Sequence, residues 1–206
     1  MEKSYLKYYK PGAIVPFILI TGTIISAAVS RIVTSIVDGF GFNYYQFPST
    51  TILIGLLILG IDKFLWKYKP FKWLLWIEDV SGRYEGEITF NSYLDGTTEN
   101  RSFALEIEQT GSLIKLKTYF NAISGDTSES ESKLISLRKD EFGHMTIFMN
   151  YHNKGNSVLE IPEHYGTNIL ELFDGTIKGK YYTNKNPQTC GIMSAKFVGK
   201  ELKKRY

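Results

Sequence analysis

Two patterns of hydrophobic and polar positions divide the chain near residue 75. Before it, no charged residue occurs from Pro11 to Ser30 or from Gly39 to Ile61. After it, apolar and polar residues alternate, first over Ser81–Phe90. Apolar runs of about 20 residues are typical of transmembrane helices, and alternation with period two is typical of strands with one buried face. We therefore predict a two-helix transmembrane region over residues 1–72 and a β domain over residues 78–206.

The flanking charges predict the orientation of this two-helix hairpin. Basic residues precede the first run and follow the second: Lys3, Lys7, Lys10, Lys63, Lys67, Lys69 and Lys72. By the positive-inside rule, both termini and the β domain lie in the cytoplasm. A cleaved signal peptide is disfavoured because a second long apolar run follows. Arg31 either extends its side chain to the interface or is a functional charge within the membrane.

The alternating half predicts a mainly β fold of eight strands. They lie near residues 80–90, 101–110, 112–121, 127–137, 145–153, 164–172, 175–184 and 189–198. Turn signals such as Thr110-Gly111 and Asp174-Gly175 separate them. Sequential strands without a helix favour an antiparallel up-and-down barrel of the lipocalin type. The alternation places Ser128, Ser130, Ser132 and Leu134 on one inner side, and the acid pairs Glu85/Glu87 and Glu106/Glu108 on the solvated outer face.

The longer connections, at 91–100, 121–126, 153–163 and 184–188, share one end of such a barrel, and ligands bind in barrel mouths. Inward positions near this mouth combine aromatic rings, hydroxyls, an amide and a guanidinium. We predict seven ligand-binding residues: Arg101, Thr118, Tyr151, Asn153, Tyr181, Thr183 and Thr189. Tyrosine rings can stack on a planar base, and Arg101, with Lys154 or Lys185 on the loops, can bind phosphate.

Composition narrows the classes of function. Residues 1–72 carry eight Lys or Arg against three acids, whereas the rest of the chain carries 16 against 18. The positive charge thus lies in the apolar half, which disfavours binding to duplex nucleic acid. Cys190 is the single cysteine, and the three histidines lack metal-ligand spacing, so we predict no metal or cofactor site. No Walker loop, G-x-S-x-G or H-E-x-x-H motif is present, which predicts a protein that is not an enzyme.

On the residues alone, the ligand remains open between a nucleotide and a lipid or other amphiphile. A third alternative is a membrane-anchored interaction module whose barrel is filled by its own side chains. Such a barrel would be expected to hold Val, Ile and Leu throughout rather than the mixed polar and aromatic set of the mouth.

Two spans, a basic aromatic belt, G-x-Y-x-G at Gly82–Gly86, and G-K-Y-Y-T-N with T-C-G-I at Gly179–Asn184 and Thr189–Ile192 resemble one family. It comprises the two-transmembrane, β-strand-rich effectors of bacterial CBASS anti-phage systems. The resemblance implies a cytosolic barrel that senses a cyclic dinucleotide made by a partner nucleotidyltransferase. It also implies oligomerisation in the inner membrane, membrane disruption and death of the infected cell. The matching strand places Tyr181, Thr183 and Thr189 near the ligand, whereas alternation turns Tyr182 outward.

Overall fold

The computed structural model describes residues 5–40, 49–91, 97–121, 127–155, 162–186 and 188–206. The chain divides into two compact units. One contains Lys3–Asp79 together with Thr110–Leu113, and the other contains Val80–Gln109 and Ile114–Tyr206. The first is helical and the second is a β-barrel.

The helical unit contains one described helix that is long and apolar enough to cross a membrane. Helix α1 spans Pro11–Phe40, and its stretch Pro11–Ser35 contains an 18-residue window with a mean hydropathy of 2.1. Helix α2, Thr50–Gly60, has 11 residues and continues as a π-helical turn over Ile61–Leu65. It is shorter than the roughly 20 residues of a span, so the predicted two-helix hairpin is not confirmed. Residues 41–48 of the second apolar run lie outside the described residues.

Within the helical unit, one glycine of α1 and several aromatic rings make close contacts. Gly22 of α1 lies against α2, where an added Cβ would be 3.1 Å from Ile54 Cδ1. Among the described residues, Gly55 and Gly60 have no such neighbour. Phe17 packs edge-on against Phe71 and Trp73, with ring centroids 6.3 and 6.4 Å apart. Phe71 belongs to the short helix α3, Lys69–Lys72.

Asp62 is a hydrogen-bonding centre within the helical unit. Its Oδ1 accepts from Ser112 Oγ at 2.6 Å and from the Tyr9 hydroxyl at 3.3 Å, and its carbonyl oxygen accepts from Gly111 N–H at 2.9 Å. The Leu6 N–H donates to Ser112 Oγ at 2.9 Å. These bonds explain why the 110–113 turn belongs to this unit.

The β unit is a closed antiparallel barrel in which each strand pairs with its sequence neighbours and β1 pairs with β8. Its strands are β1 Gly82–Asn91, β2 Thr98–Gln109, β3 Ile114–Asn121, β4 Thr127–Lys139, β5 Met145–Asn153, β6 His164–Phe173, β7 Thr176–Thr183 and β8 Cys190–Gly199. The prediction of an eight-stranded up-and-down barrel is confirmed.

Inward side chains differ between the two ends of the barrel. At the end where β1 begins, they are almost all apolar and fully buried. Examples are Tyr84, Leu105, Ile107, Leu116, Ile147, Leu170 and Ile177, each at most 3% exposed. At the end where β1 finishes, polar side chains join them. The apolar end is therefore a packed core, and the polar end is where a ligand can enter.

Two expectations from strict alternation are wrong. Leu134 is 62% exposed instead of sharing the inner side with Ser128, Ser130 and Ser132, because the β4–β5 register shifts between Ser132 and Leu134. Such a bulge reverses the direction of the side chains that follow it. Glu106 points outward as predicted, but it is only 3% exposed because residues after β8 cover it.

Candidate functional site

A cavity of about 250 Å³ occupies the polar end of the barrel. All seven predicted ligand-binding residues contribute to its wall. The full described lining is Ile88, Phe90, Arg101, Thr118, Phe120, Ser128, Ser130, Tyr151, Asn153, His164, Asn168, Tyr181, Thr183, Lys185, Thr189 and Met193. Every strand contributes, because alternate side chains of each strand in a closed barrel point into the same interior. The cavity also argues against the alternative of a completely filled barrel.

Two tyrosine rings reach into the cavity over glycines of the neighbouring strands. Tyr151 pairs with Gly166 and Tyr181 pairs with Gly191 across the sheet. A Cβ on Gly166 would collide with the Tyr151 ring, and one on Gly191 would lie 2.6 Å from Tyr181 Cε1. The glycines therefore let each ring lie against the backbone, where its face can meet a planar ligand.

Asn153 organises a pair of serine hydroxyls in the cavity wall. Its Nδ2 donates to Ser128 Oγ at 2.9 Å and to Ser130 Oγ at 3.0 Å, while its Oδ1 accepts from Gly155 N–H at 2.8 Å. Since both serine oxygens already accept from the amide, their hydroxyl hydrogens are available to donate. This part of the wall thus offers hydrogen-bond donors to an acceptor such as a phosphate oxygen.

Two buried polar atoms in the lining have no hydrogen-bond partner among the described residues: Thr118 Oγ1 and Asn168 Oδ1. The two residues are 1% and 3% exposed. Buried polar atoms nearly always have a partner, and each exception requires an explanation. A polar ligand in the cavity supplies one, since the asparagine oxygen accepts and the threonine hydroxyl donates or accepts.

Thr183 and Thr189 close the wall between β7 and β8. Their hydroxyl oxygens are 2.6 Å apart, and Thr183 Oγ1 also accepts from the Thr189 N–H at 3.0 Å. The Thr183 N–H donates to the Thr189 carbonyl oxygen at 2.9 Å. These bonds hold both hydroxyls in place without a ligand, which is a prearranged geometry.

The charge of the lining is one-sided. Arg101, His164 and Lys185 can carry positive charge, and no carboxylate of the described residues belongs to the lining. Burial, together with the repulsion of Arg101, lowers the pKa of Lys185. Arg101 lies over the Phe90 ring, 5.2 Å from its centroid, and pairs with exposed Glu99 at 3.3 Å. Cations held near one another favour an anion between them, so the cavity is locally positive although the β half of the chain is acidic overall.

Burial also sets the protonation of the neutral groups in the wall. It lowers the pKa of His164, and nearby Lys185 and His152 act in the same direction. His164 Nδ1 lies 2.9 Å from the Pro162 carbonyl oxygen, so this nitrogen carries the proton in the neutral ring and Nε2 can accept. Burial, with Tyr181 nearby, raises the pKa of Tyr151, whose phenol therefore remains a neutral donor.

This barrel with a cationic, hydroxyl-lined mouth has known counterparts. A family model described as "Cap15, cyclic dinucleotide receptor domain" matches residues 76–196, more than half of the chain. The chain belongs to this Cap15 family. It is also 26% identical over 151 residues to CD-NTase-associated protein 15 of Staphylococcus schleiferi, covering 72% of this chain and 77% of that protein. The resemblance to a CBASS effector is confirmed.

The Cap15 match contains the whole described cavity lining. Nine lining residues are not among the seven predicted for ligand binding: Ile88, Phe90, Phe120, Ser128, Ser130, His164, Asn168, Lys185 and Met193. Eight of the nine lie at inward strand positions, which alternation carried through every strand would have identified. Lys185 follows β7 and was one of two loop lysines proposed for phosphate. The other, Lys154, is exposed and is not part of the lining.

The outward assignment of Tyr182 is confirmed, since this residue is 39% exposed beside Tyr181, which is 7% exposed. No group of three or more His, Cys, Asp or Glu side chains within the described ranges is arranged as a metal site. The cavity of this Cap15-family chain presents hydroxyls, amides, aromatic rings and cations, a set that suits binding of a polar anion with planar parts.

Proposed function

We propose that this protein is a membrane-anchored receptor of anti-phage defence that binds a cyclic dinucleotide in the barrel cavity. The carrying observation is the lining itself, whose described residues include two cationic groups, Arg101 and Lys185, and no carboxylate. A cyclic dinucleotide has two phosphodiester anions and two planar bases. Its ligand class is the one in the description of the family. A nucleotidyltransferase linked to the same defence system would make it.

The cavity offers a distinct partner for each part of such a ligand. Arg101 and Lys185 suit the phosphates, and the serine hydroxyls bound to Asn153 can donate to further phosphate oxygens. Tyr151 and Tyr181 suit stacking on bases. At about 250 Å³ the cavity is slightly smaller than the roughly 300–1,000 Å³ of ordinary ligand pockets. We infer that part of the ligand extends through the mouth towards Arg101.

In this proposal the ligand acts through assembly. Residues 1–72 anchor the protein in the bacterial inner membrane with two spans, both termini and the 78–206 barrel being cytoplasmic. Ligand binding favours a homo-oligomer, which disrupts the bilayer and kills the infected cell. A ligand can shift association only if it binds the assembled state more tightly. The long apolar α1 and the flanking lysines support the membrane part of the proposal.

Calorimetry on the full chain in detergent, with a panel of cyclic dinucleotides, tests the binding proposal. We expect one member of the panel to bind, and Tyr181→Ala to weaken it roughly 5- to 150-fold, since stacking contributes about 1–3 kcal/mol per base. Tyr182→Ala is the matched control, because its ring is on the outer face of the same strand. Absence of binding across the whole panel, or equal losses in the two variants, would contradict the proposal.

The alternative of a lipid or other amphiphile has one observation in its favour. Ile88, Phe90, Phe120 and Met193 form an apolar part of the lining. Native mass spectrometry of the extracted protein distinguishes the two ligands. The amphiphile would be favoured if a lipid co-purifies with the wild-type protein, is lost from the Tyr181→Ala variant, and is not displaced by added cyclic dinucleotides.

A further inference from the structure

A covered pair of charged residues, Arg83 and Glu106, lies outside the barrel on the outer faces of β1 and β2. These residues pair across the two strands and point away from the interior. Each is nevertheless only 3% exposed. The cover is the tail segment, which we define as Lys200–Tyr206, the residues that follow β8.

The seat for the tail segment is a network of hydrogen bonds to its main chain. Glu106 Oε1 accepts from the N–H groups of Lys203 and Lys204 at 2.8 and 3.1 Å. Arg83 Nη1 donates to the Arg205 carbonyl oxygen at 2.6 Å and to Glu106 at 2.8 Å. Successive main-chain N–H groups that converge on one carboxylate form a small anion-binding concavity. The seat therefore recognises a peptide backbone as well as its side chains.

Backbone conformation and charge both match the tail segment to this seat. Lys204 has φ of +57°, a left-handed conformation that a lysine adopts only when its surroundings hold it there. Four of the seven tail residues are basic, and two carboxylates of β1 and β2, Glu85 and Glu106, contact the tail segment. Lys203 Nζ lies 3.7 Å from Glu85 Oε1. This complementarity of charge makes a basic peptide with the sequence of the tail segment the expected occupant of the seat.

Space for additional contacts lies directly beside the seat. A second cavity, of about 200 Å³, is lined by Glu106 and Lys204 and extends over the outer faces of β2, β3 and β4. Tyr119 lies in its wall, 1% exposed, and its hydroxyl has no hydrogen-bond partner within the part of the chain that the structure describes. A bound chain on this face can thus gain a polar contact that the tail segment does not make.

We propose that the Arg83–Glu106 seat is a peptide-docking site that joins two copies of this protein, each copy placing its tail segment on the seat of its partner. The bonds involve main-chain atoms of a short polar segment, so a tail segment from a second copy makes the same bonds as the chain's own. Exchange of identical elements is a low-cost route to association. The tail segment begins beside the seat, because Gly199 pairs with Arg83. Two copies that exchange tail segments therefore face each other seat to seat. The proposal is independent of which ligand fills the barrel.

Mixing two single-cysteine copies of the full chain tests this exchange. Both copies have Cys190→Ser; one adds Glu85→Cys and the other adds Lys203→Cys, at positions whose native side chains touch. They are reconstituted together in vesicles and treated with a short bis-maleimide. We expect a cross-linked dimer that increases several-fold as the protein-to-lipid ratio rises. A mixture of Glu171→Cys with Lys203→Cys is the control, because Glu171 is exposed on β6, away from the seat.

A chain with both Glu85→Cys and Lys203→Cys reports occupation of the seat by its own tail. Cross-links only within this chain, and no more dimer in the mixture than in the control, would overturn the exchange. Absence of cross-links in both experiments would overturn the seat itself.

A charge swap distinguishes the effect of the Arg83–Glu106 ion pair on stability from the effect of the seat on docking. Arg83→Glu with Glu106→Arg keeps an ion pair but presents guanidinium to the N–H groups of the tail segment. In a folded protein we expect this swap to abolish the dimer. The matched swap, Glu171→Lys with Lys178→Glu, exchanges a pair across β6 and β7 and should leave the dimer unchanged. Survival of the dimer in the first swap would also overturn the proposal.

Discussion

The two ends of the barrel interior are built from the same strands but bury different kinds of side chain, apolar at one end and partly polar at the other. At the end where β1 begins, Leu105, Ile147 and Leu170 are fully buried against other apolar side chains. At the other end, Thr118 and Asn168 are similarly inaccessible, yet each has a polar atom without a partner among the described residues. Burial of apolar area stabilises a fold, whereas burial of an unpaired polar atom destabilises it. One end therefore holds the barrel together, whereas the other retains buried polar atoms that cost stability, and in our proposal the ligand supplies their partners.

The largest expected effect belongs to the apolar end. Leu170→Ala should lower the free energy of unfolding of the barrel by about 2–5 kcal/mol, because it creates a cavity in a packed core. Urea denaturation followed by intrinsic fluorescence measures this loss. Leu134→Ala is the control on the outer face, where the side chain is 62% exposed, and it should cost less than about 0.5 kcal/mol. Equal costs at the two leucines would remove the distinction between the packed core and the surface.

The next effect belongs to the charged mouth. Lys185→Met should weaken cyclic dinucleotide binding about tenfold, since a hydrogen bond to a charged group contributes roughly 1.5–3 kcal/mol. It should also make binding less sensitive to salt. Lys154→Met is the control, an exposed lysine that is not part of the lining. Calorimetry at two ionic strengths measures both quantities. A larger loss of affinity for Lys154→Met than for Lys185→Met would show that the anion binds outside the cavity.

A smaller effect is expected at Thr118, where one substitution should lower the ligand affinity without lowering the free energy of unfolding. Thr118→Val replaces a hydroxyl that has no partner in the described chain by a methyl group of similar shape. We expect the free energy of unfolding to stay the same or rise by up to about 1 kcal/mol, because a buried unsatisfied group is removed. Ligand affinity should fall several-fold. Thr146→Val, at an outward position of β5, should change neither quantity. A clear loss of stability in Thr118→Val would show that the hydroxyl has a structural partner.

The smallest effect is a dependence of stability on pH. Burial lowers the pKa of His164 below the ordinary value of 6.5, so the unfolded chain binds its proton more readily than the folded chain does. The free energy of unfolding should therefore decrease as the pH falls from about 6.5 through the lowered pKa. His164→Gln should remove this part of the slope. An anionic ligand should raise the pKa of His164, so ligand affinity should increase over the same fall in pH.

Strand parity could be predicted from the sequence because it is a local property. A side chain in an extended backbone points opposite to its neighbours whatever the rest of the chain does. Alternation was therefore sufficient to assign Thr118, Tyr151 and Tyr181 to one interior. The same reasoning did not reach His164 and Asn168, because β6 contains few apolar residues at its start and its pattern is weak.

Burial, in contrast, was decided by the tertiary structure. Glu106 occupies an outward strand position, which predicts solvation, but the tail segment after β8 covers it. Leu134 follows a change of register that only pairing with β5 reveals. In both cases a distant segment sets the outcome, and no local pattern contains that information. The sequence by itself determined which way the strand residues point, with the bulge as exception, and the closed barrel with its covering tail decided which of them water reaches.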